Sequence, residues 1–148
     1  MAEVIKTKNY EFEVIETPGH SVGHIALVER SRGWCFSGDI FSRENLKVTR
    51  PGEDRGETIK SMERLISCDT DRLILFTSVG KIVENGREAL KNTIIYLKEL
   101  AKSSQEMISQ GYEIDGIVNE IFGGEHRFAE LTNGQYTSAT LIKSVLKI

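Results

Sequence analysis

Two stretches with strand character are separated by a short segment of turn residues, TPGHSVGH at residues 17–24. Before it, apolar residues alternate with polar ones over Tyr10–Ile15, and after it a mostly apolar run covers His24–Glu29. Pro18 and the two glycines break any helix through this segment, so its two histidines cannot share a helix face as they do in helical zinc sites. The segment is therefore predicted to be a tight loop between strands that presents one imidazole.

The rest of the chain is predicted to continue the strands and then become helical. A short hairpin connection at residues 31–33 leads to a third strand, Gly33–Ser37, and the polar residues 42–56 are predicted to form a long loop. A buried strand is predicted at Leu73–Phe76. Apolar spacing predicts helices at Glu57–Ser67, Asn85–Ala101, Glu113–Phe122 and Ser138–Lys147.

Composition excludes several classes of protein. The 148 residues are 39% hydrophobic with a net charge of −3, which favours a packed domain and gives nucleic-acid binding no basic cluster. No apolar run reaches the roughly 20 residues of a membrane helix. Cys35 and Cys68 are too few for a secreted disulfide scaffold. We therefore expect a cytoplasmic protein with reduced thiols and with neither nucleic-acid nor membrane partners.

Asp39 is the second candidate functional residue. It follows the predicted strand Gly33–Ser37, directly after Gly38. A carboxylate at the end of a buried strand is costly unless it is paired, solvated or bound to a cation. A Ser/His/Asp triad of Ser21, His24 and Asp39 is disfavoured, because the nucleophile-elbow pattern is missing.

Together, Thr17–His24 and Ser37-Gly38-Asp39 resemble the third and fourth motifs of the metallo-β-lactamase superfamily. The resemblance implies an α/β fold: about half of an αββα sandwich, with a mostly antiparallel or mixed sheet, helices on one face and a helical C-terminal tail. It further implies that His20 and Asp39 are metal ligands, that His24 supports the loop, and that zinc is the cofactor. The sequence identifies no substrate contacts.

The departures from the family pattern concern the remaining ligands. The HxHxDH motif is absent, and Val79 stands where the family has its last ligand histidine. His126 is expected to be a surface residue, Glu125 has no support as a ligand, and Cys35 lies too far along its strand from Asp39. A catalytic zinc site needs about three protein ligands, so we expect zinc binding by this chain alone to be weak or absent.

Three functions stay open from the sequence. The chain is a metallo-β-lactamase-like protein with an incomplete site that is inactive alone, or half of a split metal-dependent hydrolase, or an unrelated small-molecule binding module. In the second case another chain or an upstream segment supplies the missing ligands. Residues 1–101 are predicted to form the half domain, and residues 102–148 a helical extension packed on it.

The predicted half sandwich leaves one sheet face without a cover. The side chains exposed on this face would be those of Ile25, Leu27, Trp34 and Phe36. Soluble proteins rarely leave so large an apolar patch in contact with water. A homodimer or a complementary chain is the favoured cover. The alternative cover is the chain's own helical tail, folded back over the sheet.

Overall fold

A computed structural model describes residues 3–148 and contains a single six-stranded sheet with the strand order β1-β2-β3-β4-β5-β6. All neighbouring strands are antiparallel except β4 and β5, which are parallel and are joined by a crossover through helix α1, Arg55–Ile66. The predicted mixed α/β architecture is thus confirmed. The strands are β1 Val4–Lys6, β2 Glu11–Glu16, β3 Ile25–Glu29, β4 Trp34–Gly38, β5 Ile74–Thr77 and β6 Ile82–Val83.

Side chains cap the first turns of two helices. The Asp54 carboxylate accepts a hydrogen bond from the Glu57 amide at the start of α1, and the Thr137 hydroxyl accepts one from the Thr140 amide at the start of α5. The helices are α1 Arg55–Ile66, α2 Gly86–Ser109, α3 Ile114–Phe122, α4 Phe128–Leu131 and α5 Ser138–Val145.

The core lies between one face of the sheet and the helices. Alternate residues of the central strands, such as Val28, Cys35 and Leu75, are completely buried. They belong to the same apolar cluster as Leu65 of α1 and Leu90 of α2.

Several predicted boundaries are wrong. Helix α1 begins inside the predicted loop 42–56, and α2 continues beyond Ala101 to Ser109. The short elements β1, β6 and α4 were not predicted at all, because two to four residues carry too little periodicity. The division into residues 1–101 and 102–148 stays a prediction, and its boundary falls inside α2.

The C-terminal tail packs on the helices and not on the open face of the sheet. Helix α5 contacts α1, α2 and α3, and its residues Leu141, Ile142 and Val145 are completely buried. The suggestion that the tail covers the sheet is therefore wrong. None of the helices in residues 3–148 has the length and apolar character needed to cross a bilayer.

The opposite sheet face carries a cluster of aromatic rings, which we call the aromatic face. Its neighbouring ring centroids lie between 5.0 and 6.3 Å apart. As expected from the sequence, Phe36 is 41% exposed and Ile25, at its edge, is 44% exposed, whereas Leu27 and Trp34 are half-buried. The rings of the aromatic face are Tyr10, Phe12, Trp34, Phe36 and Phe76.

Candidate functional site

The fold brings His20 and Asp39 together at one edge of the sheet. His20 lies in the loop between β2 and β3, and Asp39 directly follows β4. Since β3 and β4 are antiparallel neighbours, the beginning of β3 and the end of β4 meet at the same edge. His20 Nε2 lies 3.3 Å from Asp39 Oδ2. The pair is in place, and its role as a metal-ligand pair stays a prediction.

His24 holds the backbone of Asp39 through a hydrogen bond. The Asp39 amide donates to His24 Nε2 over 3.0 Å, so the ring proton of His24 belongs on Nδ1, which lies 2.7 Å from the completely buried Thr17 hydroxyl. Burial and, next, the neighbouring His20 lower the pKa of His24, which favours this neutral form. Gly38 makes the close approach possible, because a Cβ there would lie 2.6 Å from His24 Nε2.

Glu53 is a site residue that the sequence analysis missed. Its Oε1 lies 3.1 Å from His20 Nδ1, and its side chain is only 3% exposed. The Thr49 hydroxyl donates to Glu53 Oε2 over 2.6 Å, and the Arg55 guanidinium contacts the same oxygen. The only signal in the sequence was a glutamate between two arginines in a polar loop, and such a pattern is ordinarily solvated.

Arg50 completes the surroundings of His20. Its NH2 group lies 3.3 Å from His20 Nε2, and its Nε lies 3.2 Å from Glu53 Oε1. A guanidinium can only donate hydrogen bonds, so Nε2 accepts from Arg50 when Nδ1 donates to Glu53.

The turn after β5 provides no third ligand beside Asp39. Val79 is 56% exposed and offers only methyl groups, while the Ser78 hydroxyl donates to Asp39 Oδ1 over 2.5 Å. In the part of the chain that the structure describes, no three His, Cys, Asp or Glu side chains are grouped to hold a metal ion. Glu53 does not complete a set, because it faces the opposite nitrogen of His20.

The other side chains considered as ligands are those of His126, Glu125 and Cys35, and each of them has different surroundings. His126 is half-buried and lines, with His20 and Asp39, a cavity of about 350 Å³, so its expected place on the surface is only partly correct. The Glu125 carboxylate accepts hydrogen bonds from the Ser138 and Ala139 amides at the start of α5. Burial raises the pKa of the completely buried Cys35 to about 12, which makes it a poor ligand.

The two donors that do converge have a spacing that suits zinc. Ligands of tetrahedral zinc lie about 2.1 Å from the metal and hence about 3.4 Å from one another. The 3.3 Å between His20 Nε2 and Asp39 Oδ2 matches this edge of a coordination tetrahedron. The spacing of this pair is therefore compatible with two ligands of one zinc ion.

Comparison with known proteins connects this geometry to one family. The model of the metallo-beta-lactamase superfamily matches residues 10–77. Hydroxyacylglutathione hydrolase GloC of Haemophilus influenzae is 27% identical over 97 residues, which cover 65% of this chain and 46% of the relative. Beta-lactamase-like protein 2 homolog of Drosophila melanogaster is 32% identical over 78 residues, which cover 53% of this chain and 25% of the relative.

Solved structures share the fold over nearly the whole chain. A metallo-beta-lactamase family protein from Thermus thermophilus superposes with a TM-score of 0.71 at 14% identity, covering 99% of this chain and 47% of that one. A beta-lactamase domain protein from Burkholderia ambifaria gives 0.69 at 19% identity, with 98% and 44% covered. The chain thus spans less than half the length of these relatives.

Proposed function

Because this chain belongs to the metallo-β-lactamase superfamily, we propose that it supplies one half of a metal-dependent hydrolase site and is inactive by itself. His20 and Asp39 would hold the metal, and His24 would keep Asp39 in place. The missing ligands would come from a complementing polypeptide, either another chain or an upstream segment. The family match argues against an unrelated small-molecule binding module.

The proposal depends on one observation: two side chains that can bind a metal lie together, and no third is grouped with them in the part of the chain that the structure describes. His20 Nε2 and Asp39 Oδ2 lie 3.3 Å apart, and residues 3–148 contain no group of three ligand side chains. Two ligands do not repay the cost of removing water from a zinc ion and ordering the site around it. Zinc, when bound in a completed site, would lower the pKa of a bound water and polarise the carbonyl of a substrate.

The relatives suggest which substrates a completed site would accept. One of them is named hydroxyacylglutathione hydrolase GloC, so we propose a thioester of this class as the first substrate to test. The two free cysteines support a cytoplasmic location, where thiols stay reduced.

We also propose that a second copy of the chain covers the aromatic face when no complementing polypeptide is present. The Arg32 guanidinium lies 4.9 Å from the Tyr10 ring centroid and 5.2 Å from that of Trp34, at the border of the face. A twofold contact would bury the rings of both copies and leave these cations at the rim, as in ordinary homodimer interfaces.

Calorimetric titration with zinc and a thioester hydrolysis assay test the proposal on the purified chain. We expect no tight zinc binding and no metal-dependent hydrolysis of a hydroxyacylglutathione. Stoichiometric tight binding that is lost in His20→Ala, or metal-dependent turnover by the chain alone, would overturn the proposal. For the split-hydrolase form, we expect the coding sequence immediately upstream to contain an HxHxDH motif.

A further inference from the structure

The imidazole of His20 has a different partner at each of its two ring nitrogens. Glu53 Oε1 lies 3.1 Å from Nδ1, whereas Asp39 Oδ2 and the Arg50 NH2 group each lie 3.3 Å from Nε2. A neutral imidazole donates from one nitrogen and accepts at the other, so these partners decide which nitrogen carries the proton.

Glu53 is held more firmly than any other partner of this ring. Its side chain is 3% exposed, and its Oε2 accepts hydrogen bonds from Thr49 and from Arg55, whose own side chain is 8% exposed. The Ser144 hydroxyl of α5 donates to the Glu53 carbonyl over 3.2 Å and accepts from the Arg55 amide over 3.1 Å. Backbone and carboxylate of Glu53 are therefore both fixed before any ligand arrives.

Two neighbours make opposite demands on the other nitrogen. Asp39 Oδ2, 3.3 Å from Nε2, would accept a proton from it, whereas Arg50 can only donate and requires a lone pair there. The Arg50 guanidinium, on a side chain that is 42% exposed, is the cation that contacts Nε2 in this structure.

We propose that Glu53 is the positioning residue of His20: its carboxylate holds the ring proton on Nδ1 and so directs the Nε2 lone pair toward a cation beside Asp39. The carboxylate–histidine–metal arrangement is a general way to fix the tautomer and the orientation of a ligand histidine. The inference rests on the proposed function only for the identity of that cation, because the tautomer exists without metal.

Nitrogen-15 NMR of the imidazoles in the metal-free chain tests this directly. The chain has only three histidines, so a His20→Gln variant identifies the signals of His20. We expect its Nδ1 to carry the proton and its Nε2 to be unprotonated at a pH where the ring is neutral. The opposite tautomer in the unaltered protein would overturn the inference without any variant.

Glu53→Gln is the decisive variant. Thr49 and the buried Arg55 both donate to the Glu53 Oε2 position, whereas, apart from His20, the exposed Arg50 alone donates to the Oε1 position. The amide oxygen should therefore face Thr49 and Arg55, and the amide NH2 then points at His20 Nδ1. We expect the two His20 nitrogens to exchange roles, with the proton moving to Nε2. Glu57→Gln, an exposed carboxylate of α1 that pairs with Lys60, is the matched control and should leave the His20 signals unchanged.

Arg50→Ala separates the contributions of the two partners. Arg50 also favours an unprotonated Nε2, but the inference expects its removal to leave the proton on Nδ1. A tautomer that changes in Arg50→Ala and not in Glu53→Gln would assign the positioning role to Arg50 and overturn the proposal. Tight zinc binding by the unaltered chain would instead contradict the proposed function and leave the tautomer result valid.

Discussion

Substituting Gly38 by alanine is expected to disrupt the contact that holds Asp39 in place. Gly38 has a φ of +55°, which glycine adopts without the Cβ penalty that other residues pay. An added Cβ would lie 2.6 Å from His24 Nε2, the atom that accepts the Asp39 amide hydrogen bond. The substitution therefore adds backbone strain and also displaces the His24 ring.

The two effects can be given separate magnitudes. Left-handed backbone in a residue with a side chain costs about 1 kcal/mol relative to glycine. Moving His24 Nε2 out to an ordinary contact lengthens its 3.0 Å bond from the Asp39 amide beyond hydrogen-bonding range. The loss of this bond, together with that between His24 and Thr17, costs about 1–3 kcal/mol. We expect Gly38→Ala to lower the free energy of unfolding by about 2–4 kcal/mol.

Urea unfolding of four variants isolates the His24 contribution. Gly123→Ala is the control for strain alone, because Gly123 has a φ of +75° and no atom within 4 Å of an added Cβ. In a His24→Ala background the clash disappears, so Gly38→Ala should cost only about 1 kcal/mol there, as the Gly123 control does. If Gly38→Ala lowers the free energy of unfolding equally with His24 and with His24→Ala, the clash with the imidazole is not the reason for a glycine at this position.

Three further predictions concern other parts of the molecule. Burial raises the pKa of Glu125, but the amide hydrogen bonds that it accepts, among them those at the start of α5, outweigh this and lower the pKa. Because the carboxylate is exposed and water replaces part of these bonds, Glu125→Gln should destabilise the chain by at most about 1 kcal/mol at neutral pH. A carboxyl group whose pKa is lower in the folded than in the unfolded chain stabilises the fold at pH values above its unfolded pKa. In urea unfolding, the difference in stability between the unaltered chain and Glu125→Gln should therefore shrink as the pH falls below 4.5, and a difference that stays constant would contradict this prediction. Phe36→Ser should convert the expected dimer into a 16.6 kDa monomer in light scattering at micromolar concentration, and an unaltered chain that is already monomeric would refute the dimer. Cys35 should not react with a thiol reagent at pH 8 until the chain is unfolded, whereas the half-buried Cys68 should react slowly, and rapid reaction of both thiols would contradict this burial.

The resemblance of residues 17–24 and 37–39 to two family motifs implied that His20 and Asp39 act together, and the antiparallel pairing of β3 and β4 explains why they meet. A turn segment fixes His20 at the start of one strand, and a glycine fixes Asp39 at the end of its antiparallel neighbour. The half sandwich implied by the resemblance also predicted that Phe36 would lie on the uncovered face, and it is 41% exposed.

The place of Glu53 could not be predicted, because it depends on contacts between distant parts of the chain. Residues 42–54 carry no periodic pattern, and their path is fixed by the isolated bridge between Thr49 and Thr137. The Ser138 hydroxyl, 91 positions away from Lys47, donates to its carbonyl and holds the same loop. No window of local sequence contains both halves of such a contact.

The charges around His20 balance one another without a metal ion. The two carboxylates, Asp39 and Glu53, stand against two guanidiniums, Arg50 and Arg55, so the cluster is close to neutral. A zinc ion at His20 Nε2 would have to displace Arg50 from this nitrogen, which removes a favourable contact and places two cations side by side. Two protein ligands cannot repay both costs, whereas a complementing polypeptide that adds histidine or aspartate ligands would supply coordination and negative charge together. Under the proposed function, the exposed Arg50 that balances the isolated chain would have to move aside when a complementing polypeptide adds its ligands.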